Sequence, residues 1–287
     1  MSPRVHPFHH RPSGTWSYLI ADPVDGEAAI LDPVLDFDPA SGRTSHQSAA
    51  VVLEMLHKYG YTLRWILETH AHADHLTAAH WMKSQRPEAC VAIGAGIREV
   101  QRHFAPLFDL GTGFVPDGSQ FDRLFRDDER FNIGTIEARV IATPGHTGDG
   151  VSYLIGDALF SGDSLFLPDS GTARCDFPGG DASLLFRSIQ HLYELPDATR
   201  VFVCHDYGPG GREPRCESSI GEQKRDNIHV HKGVSESDYA RLRHERDATL
   251  SVPQLLLPAL QVNLRAGALP EPGENGVRYL KIPLDLF

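Results

Sequence analysis

The sequence predicts an α/β protein built as a four-layer αββα sandwich. Two observations carry this expectation. Hairpins and helical segments come as two successive halves, each mostly hairpin and then helix, and the strict βα alternation of a doubly wound parallel sheet is absent. The 287 residues, 41% hydrophobic and 23% charged, can also furnish one large layered core.

In the first half, residues 15–21 and 27–33 are apolar runs around Asp25-Gly26, a hairpin signal. Val51, Val52, Met55 and Leu56 recur at helical spacing within 48–59, and Gly60 is placed to stop that helix. A strand-like run at 63–67 delivers the chain to Thr69-His70-Ala71-His72-Ala73-Asp74-His75. A helix over 76–83 and a strand over 90–93 follow, and residues 98–128 read as an irregular insertion with a helical piece near 97–103. In the second half, 131–142 forms a hairpin with Asn132-Ile133-Gly134 as its turn and leads to Thr143-Pro144-Gly145-His146. Runs at 151–155 and 158–161 flank Gly156-Asp157, another hairpin, and end at Gly162-Asp163. A helix over 183–195 precedes a strand over 200–204 that ends at His205-Asp206-Tyr207. The tail carries one helix, 236–250, and a Pro-punctuated end, which divides the chain into a catalytic domain, 1–234, and a C-terminal extension, 235–287, packed on it.

Lys+Arg 27 against Asp+Glu 38 gives a formal net charge of −11, a field that opposes phosphate backbones and anionic membranes. No nucleic acid and no membrane partner is expected. The N-terminal stretch lacks the apolar run of a secretory signal, so the expected compartment is the cytoplasm. Cys90, Cys175, Cys204 and Cys216 form no CxxC pair and are too sparse for a disulfide scaffold. Gly94-Ala95-Gly96 lacks the third glycine of a dinucleotide loop, no Walker A pattern occurs, and Gly162-Asp163-Ser164 is no nucleophile elbow.

Histidine placement is the informative feature. His70, His72, Asp74 and His75 lie within six positions just after a strand, and His146, Asp163 and His205 also end strands. Imidazole and carboxylate together are the ligand set of Zn²⁺ and non-haem Fe²⁺, and seven such residues suffice for one or two metals. His9-His10 and the pair His229 and His231 read as solvated, with contact to a neighbouring subunit as the alternative for the second pair, and Asp127-Asp128-Glu129 reads as an exposed charge run.

With Thr-Pro-Gly-His-Thr at 143–147 added to these residues, the chain resembles the metallo-β-lactamase superfamily, whose αββα sandwich matches the expected fold. Finer features resemble the persulfide dioxygenase group: Leu-Glu-Thr-His-Ala-His-Ala-Asp-His-Leu-Thr at 67–77, Gly-Thr-Ala-Arg-Cys-Asp-Phe at 171–177, His205-Asp206-Tyr207, and Asn-Leu-Arg-Ala-Gly at 263–267. Two departures stand out. Ala266 occupies a position where that group often has cysteine, and the region of 98–128 is longer than in the shorter members.

The resemblance implies one Fe(II) per chain on His70, His146 and Asp163, with zinc as a possible substitute. His72, Asp74, His75 and His205 would then orient ligands and waters or form a second metal site. It further implies Arg174 as the fork for a glutathione carboxylate and Tyr207 as a hydroxyl near the metal. The expected reaction is oxidation of glutathione persulfide by O₂ to sulfite and glutathione, in a homodimer. The alternative is a dinuclear zinc thioester hydrolase of the glyoxalase II type, for which all seven ligands are present.

Overall fold

The computed structural model describes residues 1–285, so the last two residues of the expected extension lie outside the described residues. The first half runs β1 (Arg4–His10), β2 (Thr15–Ala21), β3 (Glu27–Leu31), β4 (Val34–Asp38), β5 (Arg43–Ser45), α1 (Gln47–Lys58), β6 (Thr62–Leu67), β7 (Leu76–Thr77), α2 (Ala79–Gln85), β8 (Cys90–Gly94), α3 (Ile97–Leu107) and β9 (Arg123–Phe125). The second runs β10 (Arg130–Ile133), β11 (Ile136–Ala142), β12 (Val151–Ile155), β13 (Ala158–Phe160), α4 (Ala182–Leu192), β14 (Arg200–Phe202), β15 (Glu217–Ser219) and α5 (Ile220–Asp226). Two further helices, α6 (Glu236–Asp247) and α7 (Leu256–Asn263), form the tail.

Each half makes one six-stranded sheet, in the orders β1-β2-β3-β6-β8-β9 and β10-β11-β12-β13-β14-β15. Successive side chains of a strand point to opposite faces, so a strand apolar at every position is covered on both. Leu19, Ile30 and Ile66 join a core shared with α1, α2, α3 and α7, while their neighbours Ile20, Leu31 and Leu67 meet Val140, Tyr153, Ile155 and Phe160 of the second sheet. On the far side, Ile141, Leu159 and Val201 pack with Leu185 and Ile189 of α4, Ile220 of α5 and Tyr239 of α6. Helix, sheet, sheet, helix is the expected order of layers.

Several local expectations change. β1 was hidden by its histidines and Pro7, which an edge strand tolerates because it pairs on one side only, here with β2. Thus the His9 ring packs against Trp16 at a tilt, centroids 4.6 Å apart, and His10 Nε2 lies 3.4 Å from Asp36, instead of both being solvated. The expected helix over 76–83 begins later, because Leu76 and Thr77 pair with Leu35 and Val34 of β4. Gly134 turns the β10–β11 hairpin, with Asn132 and Ile133 inside β10. In the insertion, Phe104, Phe108, Phe114 and Phe121 are buried in the first core, which anchors the segment.

Helix α7 is the largest omission. Pro258 sits in its first turn, where backbone N–H groups have no intrahelical partner to lose. Leu256, Ala259 and Leu260 bury this helix in the first core, so the tail is part of the layered body.

Candidate metal centre

All seven predicted ligand residues sit on loops that leave the same ends of the two sheets. His70, His72, Asp74 and His75 follow β6, His146 follows β11, Asp163 follows β13 and His205 follows β14. The loops can meet because two glycines permit close approach. Gly145, at φ +135°, lies where a Cβ would come within 2.3 Å of the Leu185 backbone, and Gly162, at φ +52°, lies where one would press on Thr69.

Two sets of ligand atoms converge, His70, His146 and Asp163 in one and His72, Asp74 and His75 in the other, each within 4.8 Å of one another. Asp163 links them: its Oδ2 is 3.4 Å from His146 Nε2 and 4.0 Å from His70 Nε2, while Oδ1 is 3.3 Å from His205 Nε2. His205 Nε2 in turn lies 3.5 Å from Asp74 Oδ2, and Asp74 Oδ2 lies 3.2 Å from His75 Nδ1.

The outer nitrogen of each ring is held by the fold. His146 Nδ1 donates to the Arg174 carbonyl at 2.7 Å, and His70 Nδ1 meets Thr69 Oγ1 at 3.0 Å, which turns both Nε2 atoms inward. His72 is reversed, with Nε2 3.0 Å from Asp32 Oδ1 and Nδ1 facing the centre. The inward atoms His70 Nε2, His72 Nδ1, His75 Nε2, Asp163 Oδ1 and His205 Nε2 are buried and have no hydrogen-bond partner among the described residues. Leaving one such atom unpaired costs about 1–3 kcal/mol, so five of them across the two sets call for a cation. The residues fit a metal, and imidazole with carboxylate suits zinc or iron.

At His70 and His72 the electrostatics agree with that fit. Burial, aided by neighbouring imidazoles, holds His70 and His72 well below the ordinary histidine range, so both are neutral lone-pair donors. Burial opposes charge on Asp74, yet His205 and His75 keep its carboxyl well below the usual range. Burial likewise opposes charge on His205, and Asp163 and Asp74 overcome it and raise its pKa. Burial and then Asp32 push the Cys204 thiol far up, and its Sγ lies 3.7 Å from Asp32 Oδ2. Burial pushes the Cys175 thiol up to about 12.

A cleft of about 380 Å³ opens on the centre, lined by Asp74, His146, Asp163 and Tyr207 and, from the tail, by Arg243 and Arg246. No residue of the 98–128 insertion lines it. Tyr207 lines the cleft, its ring parallel to that of His205 at 5.9 Å. Arg174 also lines the cleft, but its fork is taken. Nε and Nη2 hold both Asp176 oxygens at 2.6 and 2.7 Å, and Nη1 holds the Ser251 carbonyl at 2.7 Å. Expecting a free fork there missed that the acid two residues on is its partner.

Other contributors escaped the sequence entirely. Asp32 accepts from Thr69 N and Oγ1 at 2.8 and 3.0 Å, pinning the start of the histidine loop. The loop at 171–175 is held by buried Arg243 and Asp247 of α6, through Thr172 O and Cys175 N. His229, expected to be solvated, is buried and accepts from Thr172 N at 3.0 Å, and burial followed by Arg243 lowers its pKa to about 4.

A model described as the metallo-beta-lactamase superfamily matches residues 10–205. The Burkholderia pseudomallei protein named "Probable metallo-hydrolase" is 49% identical over 94% of this chain and 95% of its own. Glyoxylase B2 of Dictyostelium discoideum is 47% identical over 98% and 97% of the two chains. The beta-lactamase hydrolase-like protein of Agrobacterium fabrum is 51% identical over 95% of this chain, which spans 63% of that longer protein. At 31% identity, hydroxyacylglutathione hydrolase of Methylococcus capsulatus matches 66% of this chain and 61% of its own. At the same identity, mitochondrial persulfide dioxygenase ETHE1 of Mus musculus matches 68% and 65%. The crystal structure of ETHE1 from Myxococcus xanthus superposes with a TM-score of 0.73 at 30% identity, covering 92% of this chain and 100% of that one.

Proposed function

The chain belongs to the metallo-β-lactamase superfamily, and from that premise we propose that it is a persulfide dioxygenase, converting glutathione persulfide, O₂ and water to glutathione and sulfite with release of two protons. The observation that carries this reading is the match to the Myxococcus xanthus ETHE1 structure along 100% of that chain, at 30% identity. In this reading His70, His146 and Asp163 would hold one Fe(II), which would bind the persulfide sulfur and O₂ and supply the electrons that activate O₂.

The chain's own groups do the rest. Thr69 Oγ1 and the Arg174 carbonyl fix the tautomers of His70 and His146 and keep their Nε2 lone pairs aimed at the centre. Tyr207 stands at the cleft with His205 behind it. After anaerobic loading with iron, the protein is expected to consume O₂ with glutathione persulfide and to release sulfite. Correctly loaded protein that takes up no O₂ would sink the proposal.

One observation favours a second reading, the dinuclear thioester hydrolase: His75 and His205 each keep a buried Nε2 without a hydrogen-bond partner, and Asp74 Oδ2 lies 3.2 Å from His75 Nδ1 and 3.5 Å from His205 Nε2. Metal analysis separates the two. About one iron per chain supports the dioxygenase, and two zinc ions with turnover of S-lactoylglutathione support the hydrolase.

Substrate recognition shifts from Arg174 to Arg246. Of the three cleft arginines, Arg174 is paired with Asp176 and Arg243 with Asp247, whereas Arg246 makes no ion pair among the described residues. A guanidinium without a carboxylate partner is the one available to a glutathione carboxylate. Arg246→Ala is therefore expected to raise KM for glutathione persulfide about tenfold, the equivalent of about 1.4 kcal/mol, with kcat and metal content at wild-type level. Steady-state kinetics check this. A KM moved by Arg174→Ala and not by Arg246→Ala would mean that substrate displaces Asp176.

A further inference from the structure

The side chain of Asn263 lies under the two histidines whose part in the centre the sequence leaves open. We propose that Asn263, supplied by the C-terminal helix α7, is a positioning residue for the metal centre. Its Nδ2 donates to the carbonyls of His72 and His75, both at 2.8 Å, and its Oδ1 accepts from Thr77 N, also at 2.8 Å. Asn263 is 4% exposed, so water offers these groups little competition.

One amide thus closes the turn from His72 to Thr77, across 186 to 191 positions of sequence. The peptide planes at His72 and His75 are set by these bonds, and from them project rings whose Nδ1 and Nε2, respectively, face the centre without a partner. The same turn is tied again where the Thr77 hydroxyl donates to buried Glu68. Side-chain chemistry restricts the position to an amide. Aspartate would set a carboxylate oxygen against two carbonyls, and an apolar residue would leave one N–H and two C=O groups unpaired. Because Leu256, Ala259 and Leu260 seat α7 in the first core, the amide is held on a rigid element.

The proposal rests on the metal reading of this site with the His72 and His75 rings facing the bound metal, and failure of the dioxygenase chemistry alone would leave it standing. The test is titration of the metal-free full chain with Co²⁺, followed by visible absorption, alongside the melting temperature of each metal-free variant. Asn263→Ala and Asn263→Asp are both expected to weaken Co²⁺ about 10- to 100-fold and to alter its spectrum. Gln261→Ala is the control. Gln261 is equally buried on α7, and it bonds to Leu257 and Lys281 without touching the histidine loop, so its loss should lower the melting temperature and leave the affinity unchanged. If Asn263→Ala does not fold, Asn263→Asp carries the test, since it keeps the acceptor for Thr77 N. Wild-type affinity and spectrum in Asn263→Asp, or an equal loss in Gln261→Ala, would overturn the proposal. A wild-type chain that takes up no cobalt would overturn the metal reading itself.

Discussion

Asp163→Ala is expected to strip the metal and abolish activity, whereas Asp74→Ala should cost roughly 10- to 100-fold in activity with the iron largely retained. The difference follows from placement. Asp163 reaches His146, His70 and His205 with its two oxygens and stands between both ligand sets, while Asp74 faces only the side of His72, His75 and His205. Removing Asp163 also removes the anion that faces three imidazoles at once. Metal analysis of purified variants, paired with O₂ uptake, measures both effects. The dinuclear reading predicts a different pattern, in which Asp74→Ala falls from two metals to one. Equal loss of iron from both variants would show that the division between the two sets is wrong.

Arg243→Met should be the most damaging substitution away from the ligands. Arg243 and Asp247 are 1% and 3% exposed and paired with each other, Arg243 also donates to Thr172 O at 3.2 Å, and Asp247 accepts from Cys175 N at 2.8 Å. Breaking a buried pair by removing one member leaves an uncompensated charge and costs about 3–5 kcal/mol. For a chain of this size that corresponds to a melting temperature lower by roughly 10 °C. Adding Asp247→Leu should recover part of the loss, because no charge is then stranded, though Cys175 N still lacks its acceptor. Metal affinity should fall as well, since the loop that Arg243 and Asp247 brace carries the Arg174 carbonyl that orients His146. Calorimetry on the two variants decides the matter. A single variant that melts like the wild type would show that the pair does not carry this load.

Much of the site is legible along the chain because its parts are local and chemically distinctive. Four ligand-type residues within six positions after a strand have few other uses, and the hairpin at Gly156-Asp157 places its own end at Asp163. The layers were legible for a related reason. Apolar runs with hairpin signals between them identify doubly covered strands, and helical spacing at Val52 and Leu56 identifies a face that needs a sheet beneath it. β1 and α7 were not, because the polar residues and Pro7 of the one and Pro258 of the other mask local periodicity, and only pairing with β2 or burial against the first sheet stabilises them.

By itself, then, the sequence determined the order of the layers and the kinds of atoms available at the strand ends. Tertiary structure alone decided which of those atoms face inward, that the Arg174 fork is already filled by Asp176, that Arg246 makes no ion pair among the described residues, and that Asn263 and Asp32 hold the histidine loop. The physical reason is that periodicity and residue type are properties of neighbours in the chain. Hydrogen-bond partnership and burial, by contrast, are properties of neighbours in space, and here they join residues as far apart as His72 and Asn263.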